Sequence, residues 1–153
     1  MEGRRHFCKD VRFPLWGIIK LKREKDLIKD LQGIFIECIS KMKSVHIPVQ
    51  VERVIKIEPA SLGCMGLCEA AYKNGGYVYT IKIKKELLNE SVEGMELKEV
   101  IIHELLHTVP RCLGYGKKWR SLARKMNDAY GYSLLEEKDE DAIFPRGCQC
   151  FIK

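Results

Sequence analysis

Nowhere in the 153 residues does an apolar run approach the length that crosses a bilayer, so no membrane-spanning helix is expected. The stretch from Met1 to Phe7 carries basic residues, but charges interrupt the chain after it and no apolar run ends in small residues. A secretory signal is therefore not expected, and the reading is an intracellular, cytoplasmic protein. Internal repeats and low-complexity linkers are missing as well. Seven cysteines, an odd number without an export signal, argue against a disulfide framework and for buried thiols or metal ligands. Charge of one sign is in short supply: 27 Lys+Arg against 21 Asp+Glu leave a net +6. That excess suits an acidic partner such as nucleic acid without requiring one.

What is present is ordinary for a soluble globular chain, with 46% apolar and 31% charged residues. The length allows one domain with a real core. The expected organisation is a single domain over 1–153, with a core from about 22 to 132 and a tail over 133–153.

Phe13-Pro14-Leu15-Trp16-Gly17 reads as a turn carrying an aromatic anchor. From about Lys22 to Lys43, Leu27, Ile28, Leu31, Phe35, Cys38, Ile39 and Met42 share one helical face, which predicts an amphipathic helix covering a sheet. Pro48 marks a change of period. Val49, Val51, Ile55 and Ile57 alternate with polar residues up to Pro59, as in a strand. A second, glycine-interrupted strand is expected from Leu62 to Tyr72. Asn74-Gly75-Gly76 supplies the positive-φ residues of a tight hairpin, and Tyr77, Tyr79, Ile81 and Ile83 mark the return strand. These make a small antiparallel sheet of three strands. Next come a short helical segment from Glu86 to Glu90 and a helix from about Leu97 to Thr108, the latter ended by Pro110 and Gly114. A last helix from Lys117 to Tyr130 turns Trp119, Leu122, Ala123, Met126 and Tyr130 inward and stops at Gly131. The acidic run Glu136 to Asp141 reads as a solvated tail.

The chemistry is concentrated in His103-Glu104-Leu105-Leu106-His107. Histidines four apart on a helix stack on one face, within reach of a single zinc ion. Zinc lowers the pKa of water from about 15.7 toward roughly 7. Glu104, beside the first histidine, can take the proton as that water attacks a peptide carbonyl, then pass it to the leaving amine. Val100, Ile101, Leu105 and Leu106 flank the motif and can bury its helix against the sheet.

With these residues in view, the chain resembles the SprT-like family, which includes the Spartan-type zinc metalloproteases of DNA–protein crosslink repair. The likeness rests on Ser61-Leu62-Gly63-Cys64-Met65-Gly66-Leu67-Cys68, and on Tyr77 to Ile83 followed by Glu86-Leu87-Leu88. It rests most specifically on His103 to Thr108, Gly116-Lys117-Lys118-Trp119, and Ala129-Tyr130-Gly131-Tyr132. It spans roughly residues 50 to 132. The resemblance implies an α+β, zincin-like fold: an N-terminal helix on the sheet, the metal helix, and a packing helix. It also implies one zinc, peptide hydrolysis, and protein substrates bound or crosslinked to DNA. One position departs from the pattern, because Tyr115 stands where the family has its third histidine ligand. Tyr115 can itself be the third ligand by losing a phenolic proton of pKa about 10 to the metal. Cys112, in the same loop, is a softer candidate, and water is another. A milder role has the Tyr115 hydroxyl donate to the developing oxyanion. Asp128 falls on the side of its helix away from Trp119 and Tyr130.

Cys64, Cys68, Cys148 and Cys150 could together hold a second zinc, but read more simply as small buried hydrophobes and tail residues. Cys8 and Cys38 read as packing residues. Lys117, Lys118, Arg120 and Arg124, with Lys125, form a candidate phosphate-contact surface beside the metal loop. Two rival functions stand beside the peptidase: a nucleic-acid-binding module that keeps the fold without catalysis, and a metal-dependent hydrolase of a non-peptide substrate.

Overall fold

The computed structural model describes residues 25–89, 95–134 and 151–152. The expected aromatic turn at 13–17, the acidic run, Cys8, Cys148 and Cys150 lie outside them. The described residues build an α+β fold, in which four helices accompany a small mixed sheet.

Helix α1 covers 25–44 and buries Leu31, Phe35, Cys38, Ile39 and Met42, as its periodicity predicts. Ile28 departs from the expectation: it is 47% exposed. The helix closes with paired backbone bonds, Ile47 N–H to the Met42 carbonyl (3.0 Å) and His46 N–H to the Lys43 carbonyl (3.0 Å). This is the Schellman arrangement, and His46 holds the left-handed position with φ 61°.

A 3-10 turn, Val51–Arg53, leads into strand β1, Val54–Ala60. Strands β2, Gly66–Lys73, and β3, Gly76–Lys84, form a hairpin, with Asn74 (φ 49°) and Gly75 (φ 80°) supplying its two left-handed residues. A two-residue strand, β4, Phe151–Ile152, adds to the far side of β2. The order is β1-β3-β2-β4, so the expected purely antiparallel sheet is corrected to a mixed one. β2 and β3 run antiparallel, whereas β1 lies parallel to β3. The physical reason is in the connection. Neighbouring strands lie about 4.8 Å apart, so the linker 61–65 easily spans two spacings and lets β3 slip between β1 and β2. Pro59 does not end β1, because β1 is an edge strand that tolerates a missing N–H.

Cys68, Ala70, Tyr79, Ile81 and Ile83 point from the sheet to the helical side and are buried. Helix α2, Lys85–Asn89, precedes the central helix α3, Met95–Leu106. Every residue from Val100 to Val109 is buried, polar ones included. A helix covered all round is central, with sheet on one side and helices on others. Helix α4, Lys117–Tyr130, buries Trp119, Ala123 and Met126 and ends at Gly131, in the left-handed region at φ 69°. Beyond it, the Asn127 side chain holds Leu134 by two bonds of 2.8 Å, from Nδ2 to the carbonyl and from the Leu134 N–H to Oδ1.

Candidate metal centre

His103 and Glu104 lie in the last turn of α3, and His107 lies just beyond its end. There the backbone tightens into bonds three residues apart, from His107, Thr108 and Val109 N–H to the Glu104, Leu105 and Leu106 carbonyls. Thr108 adds its hydroxyl to the Leu105 carbonyl at 2.7 Å. The next loop turns at Arg111 (φ 68°) and returns as α4, bringing Cys112, Tyr115 and Trp119 over the two histidines. Lys118 fastens this loop by donating from Nζ to the Pro110 carbonyl at 2.7 Å.

Four rings meet there. His103 and His107 have centroids 5.1 Å apart, and Tyr115 stands 5.4 Å from the first and 5.0 Å from the second. Trp119 lies 4.9 Å from His103, 5.6 Å from His107 and 5.0 Å from Tyr115. The two histidines lie side by side, and Tyr115 packs against both. Its hydroxyl is 2.8 Å from His103 Nε2. Donor atoms that share a tetrahedral zinc at 2.0–2.1 Å stand about 3.3 Å apart, so a small spreading brings this pair to ligand spacing.

The second histidine has a defined tautomer. The Cys112 carbonyl, 2.8 Å away, can only accept, so His107 Nδ1 carries the hydrogen. Nε2 then keeps its lone pair, and this nitrogen is buried without a hydrogen-bond partner among the described residues. A backbone carbonyl fixing one nitrogen while the other is left to coordinate is the usual support of a ligand histidine. Burial pushes His107 down to about 4, against the opposing bond to Cys112. Burial, and then the neighbouring His107, pushes His103 well below the ordinary histidine value. Both rings are thus neutral near pH 7, the form that coordinates.

Glu104 is only 2% exposed, and its carboxylate lies against the backbone of β2. A Cβ at Gly66 would come within 2.9 Å of Glu104 Oε1. Gly66 is a close backbone approach to α3 that motif spacing does not reveal. The signal for it is a glycine inside a strand, which marks close backbone contact. Cys112 contributes through its backbone. Its buried thiol is pushed above the usual cysteine range by desolvation, with Lys118 pulling the other way. Asp128 is exposed on α4.

Among the described residues no group of three His, Cys, Asp or Glu side chains is placed to hold a metal. Among the described residues, the oxygen-bearing side chain in contact with both histidines is Tyr115. Cys64 and Cys68 are buried thiols, with Cys64 Sγ donating to the Gly66 carbonyl at 3.1 Å. Of the candidate phosphate contacts, Lys117, Lys118 and Arg124 are exposed on α4, and Arg120 is half-buried. No helix among the described residues is long and apolar enough to cross a membrane. In comparisons with protein-family models, curated proteins and solved structures, nothing matches the chain.

Proposed function

We propose that the chain is a zinc-dependent peptidase of zincin type, with His103, His107 and Tyr115 as metal ligands and Glu104 as general base and acid. The observation that carries this reading is the buried, lone-pair-bearing Nε2 of His107, with His103 and Tyr115 packed beside it and Glu104 one residue from the first histidine. The donor set suits the ion: two neutral imidazoles and a phenol that can ionise at a cation. A bound zinc supplies the Lewis acidity that makes water a nucleophile near neutral pH and stabilises a developing oxyanion.

The protein's own groups do the rest. Glu104 accepts the proton of the attacking water and delivers it to the departing amine. The Cys112 carbonyl keeps His107 in its coordinating tautomer. Trp119 backs both histidines and Tyr115, which limits how far the rings can part. Substrates of this peptidase are proteins, including those bound or crosslinked to DNA, with Lys117, Lys118, Arg120 and Arg124 offered to the phosphates.

The test is metal content and casein hydrolysis for the wild type and Glu104→Gln, each with and without single-stranded DNA. About one zinc per chain in both, with hydrolysis lost in the variant, supports the reading. Equal hydrolysis in both, or no zinc uptake from excess metal, overturns it. A second reading draws on the lack of a third His, Cys, Asp or Glu donor among the described residues. It is a nucleic-acid-binding module that keeps the fold without hydrolysis. It wins if DNA binds through α4 while neither protein takes up zinc.

A further inference from the structure

Along the sheet, lysines find carboxylates: Lys82 donates to Glu69 at 3.0 Å, and Lys56 pairs with Glu58 at 2.6 Å. The turn end of the β2–β3 hairpin is different. Arg53 and Lys73 form no ion pair among the described residues, and Lys73 is exposed. The Arg53 guanidinium lies over the start of β3, where a Cβ at Gly76 would stand 3.0–3.1 Å from its atoms. Beside these cations Tyr72, opposite Tyr77 in the pairing, is 63% exposed. Its ring meets that of Tyr77 edge to face at 5.4 Å, and Tyr77 lies 6.5 Å from Tyr79. Tyr79 is buried in one cluster with Cys68 and Ala70. A ladder of three rings thus runs from the interior to solvent and orders the outermost ring before any partner arrives.

We propose that the turn end of this hairpin binds single-stranded nucleic acid, with Tyr72 stacking on a base and Arg53 and Lys73 meeting the flanking phosphates. An exposed ring set among unpaired cations is the chemistry that single strands use, because their bases present a π-face and their phosphates a regular charge. A duplex keeps its base faces stacked and offers the ring nothing comparable. Pre-ordering helps, since a ring already braced loses little freedom when a base lands on it. Glu52, exposed next to Arg53 in the 3-10 turn, works against the phosphates. The surface is remote from the candidate centre: from Gly66, which touches Glu104, to Lys73 the strand covers roughly 23 Å at about 3.3 Å per residue. It is also distinct from the α4 cations, of which Lys118 already donates to the Pro110 carbonyl. It requires neither metal nor hydrolysis, and so stands apart from the peptidase reading.

The probe is a fluorescent oligothymidylate of about twelve nucleotides, long enough for one stacking site and its flanks, titrated into the full chain by anisotropy. Tyr72→Ala is expected to weaken binding on the order of 10- to 100-fold, the worth of one stacked base, whereas Tyr72→Phe keeps the ring and the affinity. Arg53→Gln and Lys73→Gln should each weaken binding and lower the slope of log affinity against log salt by about 0.7. Glu52→Gln should tighten it. An abasic strand of the same length should bind wild type and Tyr72→Ala equally weakly, because it has nothing to stack. Thermal melts of the Tyr72 variants confirm that the hairpin is intact. Wild-type affinity in Tyr72→Ala, or an abasic strand bound as tightly as the oligothymidylate, would overturn the proposal. So would binding abolished by Lys117→Gln with Lys118→Gln while every hairpin variant matches the wild type, which would leave the exposed tyrosine to a protein partner. Since only binding is read, a chain that takes up no zinc and hydrolyses nothing can still pass this test.

Discussion

A Cβ at Gly66 would stand 2.9 Å from both Glu104 Oε1 and Val100 Cγ1, closer than real side-chain contacts allow. Both neighbours sit on the fully packed α3, so neither can retreat easily. Gly66→Ala should cost about 1–3 kcal/mol in stability, as overpacking does. Displacing the carboxylate should also lower hydrolysis by on the order of 100-fold with zinc content unchanged, since small misplacements of catalytic groups are that expensive. Urea melts and turnover with casein measure the two effects, and full activity in the alanine variant would remove Glu104 from the reaction. The third donor can be assigned by a contrast between two substitutions. Tyr115→Phe keeps the ring against Trp119 but deletes the oxygen near His103, and should weaken zinc at least tenfold. Cys112→Ser should leave affinity nearly unchanged, because Cys112 bonds His107 through its carbonyl and burial disfavours its thiolate. The reverse ranking in a competitive chelator titration would hand the role to the thiol.

At the scale of elements, α1 shows how a local compromise survives inside good packing. Glu37 receives Lys98 of α3 at 2.7 Å and Lys41 at 3.1 Å, while Lys41 also donates to the Tyr132 hydroxyl at 3.0 Å. Glu37 is 44% exposed, so these ion pairs fix orientation more than they add stability. The buried face from Leu31 to Met42 carries the energy. Its cap, however, places the exposed His46 at a position that suits glycine. The left-handed region costs a residue with a Cβ about 1 kcal/mol, so His46→Gly should stabilise the protein by up to that amount and leave activity alone. A shift in the urea midpoint with an unchanged slope is the expected signature; a loss of stability would mean that the imidazole makes a contact worth more than the strain.

Much of this was legible in the sequence, and what was not has a common cause. Helices α1, α3 and α4 follow from their period, the hairpin follows from Asn74-Gly75, and the end of α4 follows from Gly131. The convergence of His103 and His107 follows from four-residue spacing alone. Strand neighbours do not follow, because alternation states which face a residue takes and not which strand lies beside it. Ile55 keeps the alternation of Ile57 and is still 59% exposed, because the pairing of β1 with β3 slips between Val54 and Lys56 and takes Ile55 off the buried face. Val49 and Val51 read as strand but precede it, Val51 opening a 3-10 turn and Val49 lying in the irregular segment before that turn. Tyr115 was singled out by the family resemblance rather than by periodicity, and only the tertiary return of α4 shows it touching both histidines.

Across the whole molecule, the site and the core are one structure. Val100, Ile101, Leu105 and Leu106 anchor α3 in the same apolar cluster as Leu31 and Met42 of α1 and Trp119 and Met126 of α4. His103, in the last turn of that helix, and His107, just past its end, are buried against this cluster, so whatever binds them is coupled to folding. A ligand that binds only the native state at about 100 times its dissociation constant adds roughly 2.7 kcal/mol. For a domain of this size each kcal/mol moves the melting temperature by about 2–4 °C, giving a shift of about 5–10 °C between the zinc-loaded and the chelated protein. His107→Ala should abolish the shift, whereas Glu104→Gln, which keeps all proposed donors, should retain it. Scanning calorimetry with added zinc or a chelator is therefore a reading of metal occupancy that needs no substrate. A wild-type melting temperature indifferent to both would leave the four-ring cluster as packing and remove the metal from the account.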